Sequence, residues 1–187
     1  NPKDISAALF SLQRYVNLAF ERKPDEIVAY LSDITKNDDF PYDFNCQAIK
    51  ELALTRDPKA VDVIDEILSE LEFNQSQVSF YVARTCTAAL GFINTRQSVD
   101  ILARISEEPI RKIRRIAIDS LTLIGTEDAA KEVFRMIDFE TGTGNYAMRS
   151  YLIIQAHLIN CMLVTDSLVK HKRPDKFFYH WRLWIED

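Results

Sequence analysis

The sequence predicts an all-α protein, an α-solenoid of about four helical hairpins with a C-terminal helical cap. The first observation is a helix-turn-helix unit that recurs in register around Asp57, Thr95 and Thr126. Self-similarity every few tens of residues is typical of solenoids, in which each unit buries its apolar face only against its neighbours. The second is the low content of helix breakers, with 4 glycines and 6 prolines in 187 residues. The prolines fall where helices are expected to begin or loops to run, which favours an all-helical fold.

The repeat is defined by residue type at fixed offsets from the three markers. A leucine comes five residues before each marker, a small residue nine before and an apolar residue thirteen before. A small residue comes three after, and apolar residues come four and seven after. The members are Leu52, Leu90 and Leu121; Ala48, Cys86 and Ala117; Phe44, Val82 and Ile113; Ala60, Ser98 and Ala129; Val61, Val99 and Ala130; Ile64, Leu102 and Val133. We expect the leucines to fill the seams between helices, which the small residues allow to approach closely.

Each unit begins its second helix at the marker residue. The side-chain oxygens of Asp57, Thr95 and Thr126 can accept hydrogen bonds from the free amides of a new helix, so we expect them to be N-caps. Pro58 follows Asp57 at the first helical position, where the missing N–H costs nothing. A weaker copy of the unit, with residues 23–24 at the marker position, precedes these three.

We expect one domain over residues 1–187. Residues 1–37 are predicted to form an N-terminal capping repeat, residues 42–138 the core repeats and residues 145–187 the C-terminal capping helices. A loop is expected over residues 138–145. Residues 145–171 predict one long, buried apolar helix. A last short helix would place its aromatic side chains on one face as a lid, and these are Phe177, Phe178, Trp181 and Trp184, together with Ile185.

Residues 82–93 and 113–125, each followed by an Ala/Ser-rich second helix, resemble HEAT-type repeats. They are most similar to the short variant named after phycobilisome lyases. The resemblance covers about residues 42–138 and, in part, residues 5–34. It implies an armadillo-like α-solenoid that binds another macromolecule, commonly along the surface lined by the second helices. Such repeats specify architecture rather than chemistry.

Composition and charge exclude several classes of function. The net charge is −5, and residues 1–75 hold 15 acidic and 8 basic side chains. A nucleic-acid groove needs a basic surface over much of its length, so we expect no nucleic-acid partner. Polar residues interrupt the most apolar stretch, residues 151–169, so we expect no membrane partner either. Three cysteines without a CxxC pair indicate buried thiols in a reducing compartment, and we expect a cytoplasmic protein.

No motif composes an active site. The three histidines lie in the C-terminal third without metal-ligand spacing, so we expect neither a metal nor a cofactor. A nucleophilic pair of Cys161 and His157, four residues apart, is geometrically possible, but an apolar helix is expected to bury both as packing residues. The basic cluster at residues 111–115 is too small for a nucleic-acid footprint and is expected to pair with neighbouring acids.

The function predicted is that of a noncatalytic protein-binding or scaffolding module. Its binding surface would be the exposed row of the second helices, at five, eight, nine and twelve residues after each marker. The candidate binding residues are Asp62, Asp65, Glu66, Arg104, Lys131, Phe134 and Arg135. Because the row begins acidic, we expect a partner protein with a basic or mixed surface. A solvated face with Phe134 packed against the next helix is the simpler interpretation.

Two other functions remain open from the sequence. The repeat subtype suggests a pigment-attachment factor similar to the phycobilisome lyases. A DNA glycosylase of the HEAT-like kind is the second. It would need a basic concave face containing a tryptophan and an aspartate, whereas Trp181 and Trp184 lie at the far end of the chain.

Overall fold

The structure is a computed structural model that describes residues 24–37, 39–71, 76–143 and 145–169, together with Arg14. Within these residues there are eight α-helices and no strand, so the predicted all-α class is confirmed. The helices are α1 (Pro24–Thr35), α2 (Tyr42–Thr55), α3 (Lys59–Glu70), α4 (Gln77–Ile93), α5 (Arg96–Ile105), α6 (Arg111–Ile124), α7 (Glu127–Thr143) and α8 (Tyr146–Val169).

The helices contact one another in an alternating pattern. Each packs against the next helix in sequence and against the helix two places along. The first helices of the units, α2, α4, α6 and α8, therefore contact one another in succession, and so do the second helices α1, α3, α5 and α7. The most extensive of the contacts between alternate helices are those of α2 with α4 and of α4 with α6.

Two of the three marker residues, Thr95 and Thr126, cap the second helices as predicted. The Thr95 hydroxyl accepts a hydrogen bond from the Ser98 N–H at 3.1 Å, and the Thr126 hydroxyl accepts one from the Ala129 N–H at 3.3 Å. At the third marker, Asp57 Oδ1 accepts from the Lys59 N–H at 2.9 Å, and α3 begins one residue later than expected. These bonds satisfy amides that lack a partner inside the helix.

The residue before each marker ends the first helix in the left-handed conformation. Arg56, Asn94 and Gly125 have φ values of 53°, 56° and 64°. Glycine adopts this region freely and asparagine tolerates it, whereas an arginine there is strained. The shared conformation is a further property of the repeat, and it lies in the backbone rather than in residue type.

The predicted register forms the core. Leu52, Leu90 and Leu121 are completely buried, and 16 of the 18 register residues are buried. The other two, Phe44 and Val82, are half-buried and pack against the core. The predicted burial of the register is therefore confirmed for these 16 residues.

Two expected features of the C-terminal part are wrong. Residues 138–143 are helical, because α7 continues to Thr143 and buries Glu140, which forms an ion pair with Arg114 of α6. Helix α8 is not buried on all sides. Met148, Leu152, Ala156 and Ile159 face the core, whereas Ile153, Ile154 and Leu158 are 49%, 58% and 46% exposed. Helix α8 packs only on α6 and α7, so its opposite face has no neighbour among the described residues.

Several predictions fall outside the described residues. These are the first helix of the N-terminal capping repeat, the short helix with its aromatic face at residues 174–187, and the side chain of Cys161. In the part of that repeat which the structure describes, Ile27 and Ile34 are buried on α1 and Tyr30 is exposed.

Candidate functional site

The predicted binding residues lie on the outer faces of α3, α5 and α7. Most of these side chains are exposed, and Asp65 is half-buried. One neighbouring position departs from the expected row, since Ala103 is buried on α5 rather than exposed. The predicted binding residues therefore lie at the protein surface, although fewer positions of the row are exposed on α5 than predicted.

Polar contacts connect successive second helices across this surface, and we refer to them together as the charge ladder. Each rung joins residues that are far apart in sequence. The rungs are Lys36 with Glu66, Gln97 with Asp62, Arg104 with Asp65, Arg96 with Asp128, and Arg135 with Glu107. Three of them have distances of 2.5 Å (Lys36 Nζ to Glu66 Oε2), 2.7 Å (Gln97 Nε2 to Asp62 Oδ1) and 2.7 Å (Arg135 Nη1 to Glu107 Oε1).

The charge ladder changes the electrostatics expected of the row. Asp62, Asp65 and Glu66, predicted as the acidic start of the row, each accept a hydrogen bond from a side chain of the neighbouring second helix or from Lys36 after α1. Exposed pairs of this kind contribute about 0 to 1 kcal/mol each, so they add little stability. Their main consequence is that the acidic carboxylates are already paired. The acidity of this face is then a weak argument for a basic partner.

Around the last rungs, pairing fixes the protonation of the groups involved. Hydrogen bonding from Arg96 lowers the pKa of Asp128, with Lys131 adding to the effect. Hydrogen bonds to Glu132 and then to Glu107 raise the pKa of Arg135. Asp128 and Arg135 therefore both remain charged near neutral pH.

Phe134 is the apolar exception on this surface. It lies on α7 among paired charges and is 53% exposed, so it does not pack away against a neighbouring helix. Its neighbours along the helix, Lys131 and Arg135, are held by Asp128, Glu132 and Glu107. An exposed aromatic ring inside a polar, ordered surround has the composition of an interface hot spot.

The basic cluster at residues 111–115 pairs only in part. Arg114 is mostly buried and forms its ion pair with Glu140, a residue that the sequence had placed in a loop. The guanidinium of Arg115 lies over the ring of Tyr151, 4.7 Å from the centroid. Arg111 and Lys112 are exposed and have no ion pair among the described residues.

Asp119 is a half-buried carboxylate that sequence reasoning missed. Burial raises the pKa of Asp119 to about 7, although Arg115 on the same helix acts in the opposite direction. Its Oδ2 atom has no hydrogen-bond partner among the described residues. A carboxyl group in this setting is held neutral at mildly acidic pH.

No nucleophile stands out within the described residues. Cys46 and Cys86 are free and buried, and burial raises the pKa of both thiols. Thiols of this kind are poor nucleophiles, because the reactive form is the thiolate. His157, expected to be buried, is exposed on α8, so the predicted burial of the Cys161 and His157 pair is wrong for the histidine. In the described part of the chain no cluster of three or more His, Cys, Asp or Glu side chains could hold a metal ion.

Comparison with known proteins gives no relative. No family model, curated protein or solved structure matches the chain. Among the described helices, none combines the length and apolar character needed to cross a membrane.

Proposed function

We propose that this chain is a noncatalytic protein-binding or scaffolding module, a HEAT-like α-solenoid that holds its partner along α3, α5 and α7. The observation that carries the proposal is the exposed ring of Phe134 within the charge ladder. Binding energy in protein interfaces concentrates in a few aromatic or arginine side chains surrounded by polar contacts that exclude water. Phe134 with Arg135 and Arg104 provides such a group on one face.

The charge ladder supports this function because it surrounds the exposed ring with defined polar contacts. The rungs connect α1 to α3, α3 to α5 and α5 to α7, and the pair of Arg135 with Glu107 restrains the side chain next to Phe134 before a partner arrives. Ordering in the free protein lowers the entropic cost of association. Since the acidic groups are paired, we propose a partner with a mixed surface and an apolar pocket for the ring, in preference to a strongly basic one.

The proposal extends to the setting of the protein. Free, buried Cys46 and Cys86 suit a reducing compartment, which supports a cytoplasmic location. The contacts of each helix with the next two support the proposal of a single solenoid over the described residues.

Affinity capture from the native source with matched variants tests the binding surface. The Phe134→Ala variant should lose one or more proteins that the wild type retains, with captured amounts falling about tenfold or more. Phe139→Ala is the matched control, because Phe139 lies on the same helix and is similarly exposed at 56%. A captured set that is identical for wild type, Phe134→Ala and Phe139→Ala would contradict the proposal. Circular dichroism would establish that all three proteins are folded.

A further inference from the structure

A second surface runs along the N-terminal ends of α2, α4 and α6. The rings of Tyr42 on α2 and Tyr81 on α4 stack with centroids 6.3 Å apart, and both side chains are more than one third exposed. Phe80 lies edge-on to Tyr81 at 6.0 Å, and Lys112 of α6 lies over the Phe80 ring, 5.8 Å from its centroid. We define these four residues with Arg111 as the aromatic-cation edge.

The aromatic-cation edge is electropositive at its α6 end. Arg111 and Lys112 are both exposed, and no carboxylate among the described residues forms an ion pair with either. Neither α4 nor α6 has an acidic residue in its first turn. Ile110 precedes α6 and provides no side-chain cap, so the first amides of α6 add their partial positive charge to the same place.

This arrangement contrasts with the charge ladder on the second helices. There the described arginines each form an ion pair with a carboxylate of a neighbouring helix, as Arg96, Arg104 and Arg135 do. At the aromatic-cation edge Lys112 lies over the Phe80 ring instead, and Arg111 directly precedes Lys112 in α6. Unpaired cations next to half-exposed rings provide attraction for carboxylates and apolar contact at one location.

We propose that the aromatic-cation edge binds an acidic polypeptide segment of a partner protein, with its carboxylates at Arg111 and Lys112 and an apolar side chain against Tyr42 and Tyr81. The small number of cations favours a peptide over a nucleic acid, because phosphate backbones need many basic contacts along their length. Asp43 is exposed next to Tyr42 and raises the pKa of Tyr42, so a polyanion extending beyond α4 would be repelled, and only an apolar side chain of the segment suits the Tyr42 end of the edge. The inference goes beyond the proposed function, since it concerns another face and does not depend on Phe134.

Fluorescence anisotropy with a defined probe tests the proposal. The probe is a labelled peptide of repeated Glu-Glu-Phe-Glu units, and the comparison peptide has glutamine in place of every glutamate. We expect saturable binding of the acidic peptide to the wild type, weaker binding at higher salt and no binding of the glutamine peptide. Lys112→Glu and Arg111→Glu should each weaken binding about tenfold, because each reversal removes an attraction and adds a repulsion.

Lys59→Glu is the matched control, since it makes the same charge change at the exposed start of α3, outside the edge. It should leave binding within about twofold of the wild type. The proposal is overturned if the acidic peptide does not bind, or if Lys59→Glu weakens binding as much as Lys112→Glu. It is also overturned if a labelled single-stranded oligonucleotide binds more tightly than the peptide with the same dependence on Lys112. Phe134→Ala should bind the peptide like the wild type, which separates this test from that of the proposed function.

Discussion

Gly91 of α4 lies directly against Ser120 of α6. A Cβ atom placed on Gly91 would be 2.9 Å from Ser120 Cβ, closer than two such atoms approach in proteins. The Ser120 hydroxyl donates a hydrogen bond to the Thr87 carbonyl at 3.1 Å, which holds the two helices at this separation. The glycine is therefore required by helix packing and not by a turn, since it lies inside α4.

Gly91→Ala should destabilise the protein by about 1 to 3 kcal/mol, because the added methyl group forces α4 and α6 apart. The higher helix propensity of alanine stabilises the variant by up to about 1 kcal/mol, so a net loss of stability must come from the packing of α4 against α6. Chemical denaturation measures the change. Gly91→Ala should cost less free energy of unfolding when it is made in a Ser120→Gly protein than in the wild type, because the side chain that the new methyl group would meet is then absent. A Gly91→Ala protein as stable as the wild type would show that the helices are not in close contact here.

The left-handed residue Arg56 provides a test of backbone strain. Arg56→Gly should be more stable than Arg56→Ala by about 1 kcal/mol, because only glycine adopts a φ of 53° without steric cost. Both variants lose the arginine side chain, so the comparison between them reports on the backbone alone. Thermal or urea unfolding of the pair is sufficient. Equal stability would place residue 56 outside the left-handed region.

Asp119 predicts a dependence of stability on pH. The pKa of Asp119 is about 7 in the folded protein, whereas its ordinary value is 3.8. The carboxylate therefore binds a proton more tightly in the folded state than in the unfolded state. The free energy of unfolding therefore falls as the pH rises between these two values, and the full cost is present above pH ~7. Asp119→Asn should be more stable than the wild type above pH ~8, by at least about 1 kcal/mol, and equally stable near pH ~4.

Urea denaturation of both proteins across this range gives the difference directly. Burial also raises the pKa of Glu51, but that contribution is common to both proteins and cancels. A difference that does not change with pH would mean that Asp119 is ionised normally in the folded state.

The exposed face of α8 gives a reason for the predicted cap at residues 174–187. Ile153, Ile154 and Leu158 form an apolar patch, and patches of this kind promote self-association when uncovered. Deleting residues 174–187 should leave a helical chain that self-associates, and Trp181 and Trp184 in the intact protein should emit as buried tryptophans. Light scattering and tryptophan emission measure both. Adding Ile154→Ser and Leu158→Ser to the truncated chain should make it monomeric again, because both substitutions remove apolar side chains from the patch.

A truncated chain that stays monomeric and equally stable, with water-like tryptophan emission in the intact protein, would contradict the cap. Residues 174–187 would then be a linker or a docking helix.

The sequence predicted those features of the fold that depend only on residue type and on spacing along the chain. Leu90 and Leu121 had to be buried, and Thr95 had to be an N-cap, because local spacing determines both. It could not predict the charge ladder, since Asp65 and Arg104 are 39 residues apart and meet only through the offset between α3 and α5. The left-handed conformation of Arg56 was also hidden, because arginine gives no signal for it.

The candidate surface was predicted in position but not in character. The offsets placed Phe134 among exposed residues, and the structure agrees. The offsets also predicted the acidic start of the row at Asp62, but not that its carboxylate accepts a hydrogen bond from Gln97. The aromatic-cation edge was not anticipated, because Tyr42, Phe80 and Lys112 come together only when first helices pack side by side.

Both proposed surfaces depend on the register that buries the seam leucines, so the most direct test is the free energy of unfolding of Leu90→Ala and Leu121→Ala. Both side chains are completely buried. Each substitution should cost about 2 to 5 kcal/mol, as large-to-small changes in a packed core do. Leu54→Ala, at an exposed position of α2, is the control and should change stability by less than about 1 kcal/mol. A loss below about 1 kcal/mol for both seam leucines would contradict the register and the two surfaces derived from it.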